Sequence, residues 1–344
     1  VVLMRIWNGY QRGINFGGWL SQGEKSDQYY DNFITESDFA TVAKWGLDHV
    51  RIPIDYDLLE SEGGILKESG FDRIKQCMEW CVKYHIRMIL AIYKTPGYDP
   101  ENPIKSHEFF TNPALQARFF SLWKQLSARF GSYTEVISFE LLSDVILASD
   151  PEKWNEIASN AVSAIRSSSP HVSILVGSIR KNNAEQIPNL LPPSDRNIVY
   201  AFHCYDPIIF THQTADWMKG MPGDFHISYP DTLDHYCRSS AAFSKEYTTS
   251  LLRQGVTDVE ASMFEARLSQ ALRMSEQYDV PLYCSSYGVI NQADLDSTLR
   301  WYQTIHQVFE AHGIGRSAWN YKGLDFGLID SHTLPIADKL IAVL

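Results

Sequence analysis

The feature that most constrains the fold is a regular alternation of short apolar runs with longer amphipathic stretches, which continues along the whole chain. The short runs are typical of strands buried on both faces, and the longer stretches place apolar residues at helical spacing. The predicted strands are Gly13–Trp19, His49–Ile54, Met88–Tyr93, Val136–Leu142, Ser173–Gly177, Ile198–His203, Leu282–Tyr287 and Ser317–Asn320. A strand followed by a helix or a long crossover, repeated along the chain, predicts an α/β fold, a single (β/α)8 TIM barrel.

Helices are predicted between the strands at Glu36–Trp45, Phe71–Tyr84, Pro113–Phe130, Glu152–Ser168, Val259–Tyr278 and Leu295–His312. A doubly wound sheet is the alternative fold, but it usually opens with a Gly-rich phosphate loop, and Gly17-Gly18-Trp19 does not have that pattern. The 344 residues suit one barrel, and no linker interrupts them, so we predict a single domain over residues 1–344. An irregular segment at about 207–256 is predicted as a long loop on the C-terminal face, where barrels bind ligands.

Composition and charge argue against several classes of partner. The net charge of −11 and the lack of a Lys/Arg cluster argue against nucleic acid, and no apolar run reaches the length of a membrane span. The 11 histidines and 5 cysteines lack metal-ligand spacing, and no cofactor motif is present, so we predict neither a metal nor a cofactor. The odd number of cysteines and the lack of a visible signal pattern favour a cytoplasmic location; secretion is the alternative if a signal peptide has been removed.

Polar residues at the C-terminal ends of barrel strands are the first candidates for function. Read in order, these ends carry Asn15 and Trp19, Arg51, Tyr93 and Lys94, Ser143 and Asp144, Ser178, His203 and Tyr205, Ser285 and Ser286, and Trp319. Alone, Arg51 is equally well explained by a buried ion pair, and His203 is better explained by core packing than by catalysis. Because the strand ends converge on one face, we expect the residues to form one site. The 9 tryptophans and 18 tyrosines are consistent with a sugar cleft, since aromatic faces pack against pyranose rings.

Five segments carry a resemblance to a known family. They are Gly13-Ile14-Asn15-Phe16-Gly17-Gly18-Trp19, Val50-Arg51-Ile52-Pro53, Phe139-Glu140-Leu141-Leu142, His203-Cys204-Tyr205 and Trp319-Asn320-Tyr321-Lys322. In this order and at barrel spacing, across nearly the whole chain, they resemble glycoside hydrolase family 5, which contains cellulase-type endoglucanases. The resemblance implies a cleft for a β-linked oligosaccharide or polysaccharide. The predicted substrate-binding residues are Trp19, Arg51, Tyr93, Ser143, His203, Tyr205 and Trp319; of these, Tyr93 and Ser143 depart from the family pattern, as Ser285 also does.

The resemblance also implies a retaining mechanism with two glutamates, an acid/base after the fourth strand and a nucleophile at the end of the seventh. Their carboxyl groups must lie about 5 Å apart. This chain has Asp144 at the acid/base position, after Ser143 where the family has Asn, and Ser286 at the nucleophile position. Asp144 keeps a carboxyl group on a shorter side chain, whereas the Ser286 hydroxyl is a poor nucleophile without an adjacent base. We therefore expect the retaining reaction to fail.

Three functions remain open at this point, and whether the chain is an enzyme is left undecided. The favoured one is a pseudo-glycosidase, a barrel that binds a β-linked glycan without the retaining hydrolysis. The second is an altered but active O-glycosyl hydrolase or transglycosylase that uses Asp144 as general acid. An inverting reaction of this kind needs a base about 6.5–9.5 Å away, for which Asp206 is the candidate. The third is a protein-binding barrel in which the segment at about 207–256 closes the cleft.

Overall fold

Eight parallel strands form a closed barrel in a computed structural model that describes residues 4–344. Their bounds are β1 Arg12–Asn15, β2 His49–Asp55, β3 Arg87–Lys94, β4 Ile137–Glu140, β5 Ile174–Gly177, β6 Ile198–Cys204, β7 Leu282–Tyr287 and β8 Gly315–Ala318. Each strand pairs with the next along the chain, and β1 closes the ring against β8. The predicted (β/α)8 barrel is confirmed. Residues 1–3 of the predicted domain lie outside the described residues.

Helices surround the barrel and connect most of its strands. The longer ones are Asp27–Phe33, Glu36–Lys44, Glu68–Tyr84, Pro103–Thr111, Pro113–Phe130, Pro151–Arg166, Leu233–Phe243, Ala261–Tyr278, Leu295–His312 and Ala337–Ile341. Local signals fix several of their starts; the Asp294 side chain, for example, accepts a hydrogen bond from the Ser297 amide at 2.8 Å and so caps the helix that follows it. Between residues 4 and 344, no helix combines the length and the apolar character needed to span a membrane.

The core lies in two layers, one inside the barrel and one between the strands and the helices. Strands covered on both faces have few exposed positions, and all seven residues of β2 are buried. Buried tryptophans tie the outer layer to the strand ends. The indole of Trp154 donates to the Gly177 carbonyl at the end of β5 at 2.8 Å, and that of Trp301 donates to the Asp206 carbonyl just after β6 at 3.0 Å. These contacts hold the C-terminal ends of the strands in place.

The segment at about 207–256 is more regular than the predicted long loop. It contains the helix Leu233–Phe243 and a 3-10 turn at Lys245–Thr248. The sequence pattern does not predict this helix, because the helix-breaking residues Pro222, Gly223 and Pro230 precede it and the helix itself carries few buried side chains. The segment is anchored to the rest of the chain by the Tyr229 hydroxyl, which donates to the Val259 carbonyl at 2.8 Å.

Strand bounds differ from the predicted ones mainly at the site end of the barrel. β1 ends at Asn15 rather than Trp19, because the chain turns at Gly17 and Gly18, the second of which has a φ of +81°. β2 continues to Asp55, one residue beyond the prediction. The first difference places Trp19, a predicted site residue, beyond the end of β1. The second adds Asp55 to the polar residues at the strand ends.

A glycine in the first turn of the helix Glu68–Tyr84 provides a test of this packing. A Cβ atom on Gly70 would lie 1.9 Å from the Leu58 carbonyl oxygen, so alanine must displace backbone. We expect Gly70→Ala to lower the free energy of unfolding by about 1–3 kcal/mol, although alanine is the better helix former. Gly223→Ala is the matched control because its Cβ would meet no atom within 4 Å. Urea unfolding of both variants measures the difference, and equal midpoints would contradict the prediction.

Candidate functional site

A buried ion pair lies at the C-terminal end of the barrel interior. The Nε atom of Arg51, in β2, donates to Oε2 of Glu140, the last residue of β4, at 2.6 Å. The two side chains are 1% and 0% exposed. Burying two opposite charges is unfavourable unless their remaining polar groups also find partners. The surroundings of the pair must therefore supply hydrogen bonds.

Neighbouring strands supply these hydrogen bonds. Arg51 donates through its other two nitrogens to Oδ1 of Asn15 at 2.8 Å and to Oγ of Ser143 at 2.7 Å. Ser285, in β7, donates to the second carboxylate oxygen of Glu140 at 2.5 Å. The Asn15 amide donates in turn to the Ser285 carbonyl at 3.0 Å. We call these five residues the Arg51 network; it joins β1, β2, β4 and β7 and brings two predicted site residues, Arg51 and Ser143, together.

Asp144 follows the Arg51 network and carries a partly buried carboxyl group. Its Oδ1 atom is shielded from solvent and has no hydrogen-bond partner within residues 4–344. The Tyr98 hydroxyl donates to the Asp144 carbonyl and accepts from the Ile146 amide at 3.0 Å, which fixes the backbone here. Burial raises the pKa of the Asp144 carboxyl, while the positive charge of Lys181 acts in the opposite direction. The group is therefore more readily protonated than an exposed aspartate, and one of its oxygens remains free for a ligand.

Ser286 and Tyr205 form a hydrogen-bonded pair of hydroxyl groups between β7 and the end of β6. Ser286 is buried, and its Oγ atom is bonded to the Tyr205 hydroxyl. Burial raises the pKa of the Tyr205 phenol, so the phenol stays protonated at neutral pH and cannot act as a base toward the serine. The hydrogen bond to Ser286 acts on the Tyr205 pKa in the opposite direction but does not outweigh burial.

His203 pairs with Ser286 in the register of β6 and β7, yet the two side chains form no hydrogen bond. The Nε2 atom of His203 is buried and lacks any partner in the described part of the chain. Burial lowers the pKa of His203 to about 3, and the charge of Arg51 acts in the same direction. The imidazole is therefore neutral at physiological pH and leaves one ring nitrogen unpaired.

Two of the predicted aromatic residues border the same site. Tyr93, near the end of β3, is largely buried, and its pKa is raised by burial and by the charge of Asp144. Trp319 directly follows β8, is partly exposed and packs with Tyr205 on a small hydrophobic cluster that includes Phe326. These side chains give the site an aromatic wall.

Trp19 is not brought together with the other predicted site residues. It is 3% exposed, and its indole donates to the Tyr30 carbonyl at 2.8 Å. With Trp80 and Arg73 it lines a separate cavity of about 210 Å³ beside the helix Glu68–Tyr84. The turn after β1 carries the indole away from the strand end, which the sequence pattern did not indicate.

Sequence reasoning misses Asp55 and Lys181. Asp55, the last residue of β2, is 1% exposed and accepts a hydrogen bond from the Ser21 hydroxyl at 2.8 Å. Burial raises its pKa to about 6, against the effects of that hydrogen bond and of the nearby Lys25 charge. A predicted strand one residue longer would have included Asp55 among the polar strand ends. Lys181 follows β5 in an irregular turn that no periodic pattern reveals.

Asp206, the candidate base of an inverting reaction, is held in an ion pair. Its Oδ2 atom lies 3.0 Å from Nε of Arg267, and its side chain is 8% exposed. Arg267 also approaches Glu185 at 3.7 Å, so the three residues form a charged cluster next to the segment 207–256. A carboxylate neutralised in this way is poorly suited to activate water.

The thiols and acidic groups do not assemble a metal site in the part of the chain that the structure covers. All five cysteines are free, and four of them are buried. Across residues 4–344, no group of three or more His, Cys, Asp or Glu side chains is placed to hold a metal ion.

Comparison with known proteins identifies the family. A family model described as cellulase (glycosyl hydrolase family 5) matches residues 10–325. The chain belongs to glycosyl hydrolase family 5. Cellodextrinase A of Ruminococcus flavefaciens is 36% identical over 309 residues, which cover 90% of this chain and 84% of that protein. Endoglucanase C of Acetivibrio thermocellus is 33% identical over 342 residues, covering 97% of this chain and 98% of that one. The family resemblance read from the sequence is confirmed.

Solved structures share the fold of this family 5 chain. The endoglucanase Cel5A of the hyperthermophilic Thermotoga maritima has a TM-score of 0.75 at 24% sequence identity, covering 98% of this chain and 97% of that one. The structure of another glycoside hydrolase gives a TM-score of 0.78 at 20% identity, covering 97% and 99%. The barrel fold is thus shared with these structures. Sequence identities as low as 20–24% support the fold only and carry no information about activity.

The Arg51 network predicts how this family 5 chain responds to the loss of its central charge. Arg51→Met leaves Glu140 buried without its cation, and we expect the free energy of unfolding to fall by about 3–5 kcal/mol. Arg51→Met combined with Glu140→Gln removes both charges and should recover part of that loss. Urea unfolding followed by circular dichroism measures both. If the free energy of unfolding of Arg51→Met lay within about 1 kcal/mol of the wild-type value, the ion pair would not be important for stability.

The neutral His203 side chain predicts a dependence of stability on pH. Its pKa is about 3 in the folded state, against an ordinary value near 6.5, so the unfolded state binds the extra proton first as the pH falls. The stability due to the neutral ring is complete above pH 6.5 and is lost between about pH 6.5 and 3. We expect His203→Gln to flatten the slope of unfolding free energy against pH by about 1.4 kcal/mol per pH unit in this window. Asp55, with a pKa of about 6, contributes a slope of the opposite sign. Because it does so equally in the wild type and in His203→Gln, its contribution cancels when the two are compared.

The control for this measurement is His107→Gln, which removes an exposed histidine. Urea unfolding at intervals of half a pH unit from 4 to 7 gives the slopes. A His203→Gln slope equal to that of the wild type would mean that His203 is charged in the folded state.

Proposed function

We propose that this family 5 barrel binds a β-linked glycan but does not carry out the retaining hydrolysis of its family. The observation that carries the proposal is the hydroxyl of Ser286 at the nucleophile position, bonded to the Tyr205 phenol. A serine offers no negative charge to stabilise an oxocarbenium-like transition state. As a nucleophile it would need an adjacent base.

The neighbours of Ser286 do not provide that base. The pKa of the Tyr205 phenol is raised by burial, and the His203 Nε2 atom is not bonded to Ser286. Ser285, the preceding residue, donates to Glu140, whose carboxylate is already paired with Arg51. Because Ser285, Glu140 and Arg51 satisfy one another, none of the three is free to activate Ser286.

Unpaired polar groups in the same site support binding. Asp144 Oδ1 and His203 Nε2 are both shielded from solvent and lack partners among residues 4–344. Buried polar atoms of this kind are costly unless a ligand or water satisfies them. Sugar hydroxyl groups donate and accept hydrogen bonds and could satisfy both, while the partly exposed Trp319 offers a face to a pyranose ring.

The relatives suggest which glycan would be bound. They are named cellodextrinase and endoglucanase, and this chain covers most of their length. We infer a β-linked glucan chain as the ligand of the cleft. A second candidate function is an altered glycosidase in which Asp144 donates a proton, favoured by the raised pKa of that carboxyl. The ion pair between Asp206 and Arg267 weighs against it, because it removes the candidate base.

Binding and turnover distinguish the two functions. We expect isothermal titration calorimetry with cellohexaose to give a measurable Kd, while chromatography of the same mixture shows no cleavage. Trp319→Ala should weaken binding by at least about 10-fold, since aromatic contact is lost. Turnover that disappears in Asp144→Asn would support the altered glycosidase instead. No binding at millimolar ligand would leave the protein-binding barrel as the explanation.

The double variant Asp144→Glu with Ser286→Glu tests the assignment of the two positions. It restores the carboxyl pair that a retaining enzyme requires. We expect hydrolysis of cello-oligosaccharides to appear in the double variant and to remain absent in each single variant. Hydrolysis by the wild type at a comparable rate would overturn the proposal.

A further inference from the structure

A cavity of about 210 Å³ lies among the helices outside the barrel. Two helices, Asp27–Phe33 and Glu68–Tyr84, contribute most of its lining. Asp31 and Gln76 line it with exposed side chains, so the cavity is open to solvent. Neither Ser286 nor any residue of the Arg51 network lines it. The cavity is therefore separate from the cleft described above.

One wall of the cavity is a single face of the helix Glu68–Tyr84. Arg73, Gln76 and Trp80 follow one another at the three- and four-residue spacing that places side chains on one side of a helix. Trp80 is partly buried and packs on Phe39 with the ring centroids 5.2 Å apart, so its ring is held in place. This face thus offers an aromatic ring and an amide side by side.

Two more aromatic rings complete the lining, and both are fixed in position. Trp19 is 3% exposed, and its indole donates to the Tyr30 carbonyl at 2.8 Å. The Arg73 guanidinium lies over the ring of Tyr30, 5.0 Å from its centroid. Together with Trp80, these rings give the cavity apolar surfaces of the kind against which a pyranose ring packs.

The charged groups around the cavity are already paired with one another. Arg73 donates to Asp31 at 2.8 Å and to Asp27 at 2.9 Å, and Glu36 is paired with Lys83. A cationic ligand would compete with Arg73 for the aromatic faces. An anionic ligand would meet the carboxylates of Asp31 and Glu36. The cavity therefore suits a neutral ligand.

Polar groups at the mouth of the cavity have hydrogen-bonding capacity left for such a ligand. The Gln76 amide is exposed and is bonded to no other group within residues 4–344, and Asp31 uses only Oδ1 in its bond to Arg73. An amide both donates and accepts, as a sugar hydroxyl does. Pockets that enclose drug-sized ligands measure about 300–1,000 Å³. At about 210 Å³, this cavity holds one sugar ring and not a chain.

We propose that this cavity is a second glycan-binding site, which takes one neutral hexose residue, either free or within a glycan chain. The sugar ring would pack against the aromatic lining, and Gln76 would bind its hydroxyl groups. The inference does not rest on the proposed function of the cleft, because the two sites share no residue.

Tryptophan signals allow the two sites to be followed separately. In protein with isotope-labelled tryptophan, the indole resonances of Trp19 and Trp80 report on the cavity and that of Trp319 on the cleft, each assigned by substitution to phenylalanine. We expect millimolar methyl β-glucoside and cellotetraose to shift the Trp19 and Trp80 signals to saturation, in the wild type and in Trp319→Ala alike. Glucuronate, a matched anionic sugar, should bind there about 2- to 5-fold more weakly, as exposed charges allow.

Variants in the cavity assign the effect. Gln76→Ala should weaken sugar binding at the cavity about 3- to 10-fold through the loss of a hydrogen bond, and alanine preserves the helix. Trp80→Ala should weaken it at least about 10-fold, with the Trp19 signal as the measure and circular dichroism as the check on folding. Gln303→Ala, at an exposed glutamine on another helix, is the matched control and should behave as the wild type.

The possible outcomes separate this inference from the proposed function of the cleft. Trp19 and Trp80 signals that stay unmoved while Trp319 shifts would overturn the second site and leave cleft binding intact. The same conclusion would follow if their shifts disappeared in Trp319→Ala, or if Gln76→Ala and Trp80→Ala left the affinity unchanged. Glucuronate binding as tight as the neutral sugar would overturn the assignment of a neutral ligand. Shifts at Trp19 and Trp80 without any at Trp319 would support the second site alone, and no shift at any of the three would overturn both proposals.

Discussion

The buried pair of Arg51 and Glu140 sets the constraint that the rest of the site obeys. Both charges lie in the closed barrel, where water cannot satisfy them. Every remaining donor and acceptor must therefore find a partner, and the partners are Asn15 in β1, Ser285 in β7 and Ser143 just after β4. A one-residue shift of any of these strands would leave a buried charge without its hydrogen bond. The pair thus fixes the relative heights of the strand ends, and with them the positions of the side chains at this end of the barrel.

The residues of the Arg51 network are distinct from the residues at the two positions where the family has its catalytic glutamates. Ser285 and Ser143 belong to the Arg51 network, whereas Ser286 and Asp144, each one residue further along the chain, do not take part in it. Adjacent residues of a strand point to opposite sides, so a change at position 286 leaves the bonds of position 285 in place. Changes at positions 144 and 286 would therefore leave the Arg51 network intact. This independence is consistent with the proposal of glycan binding without the retaining hydrolysis.

The sequence predicts the barrel well because strands buried on both faces leave continuous apolar runs, as in β2 and β3. Most of the predicted site residues converge on one end of the barrel for the same topological reason. The misses have local causes: Trp19 turns away after Gly17 and Gly18, and the helix Leu233–Phe243 follows a stretch rich in breakers. Lys181 could not be found from periodicity, since its position depends on hydrogen bonds to a segment more than thirty residues away. Tertiary contacts, rather than local preferences, decide these positions.

The cause of the raised pKa of Asp144 also distinguishes this site from a retaining pair. In such a pair the charge of the nucleophile raises the pKa of the acid, and formation of the glycosyl-enzyme removes that charge, so the same group can next act as a base. Here burial is the main cause of the raised pKa, and the one carboxylate that adds to it, Glu140, is neutralised by Arg51 and has no reaction that would discharge it. The raised pKa of Asp144 therefore comes mainly from burial and does not depend on a charge at position 286. Under the proposed function, Asp144 would form a hydrogen bond to a sugar oxygen, whereas the retaining reaction needs an acid whose pKa changes between its two steps.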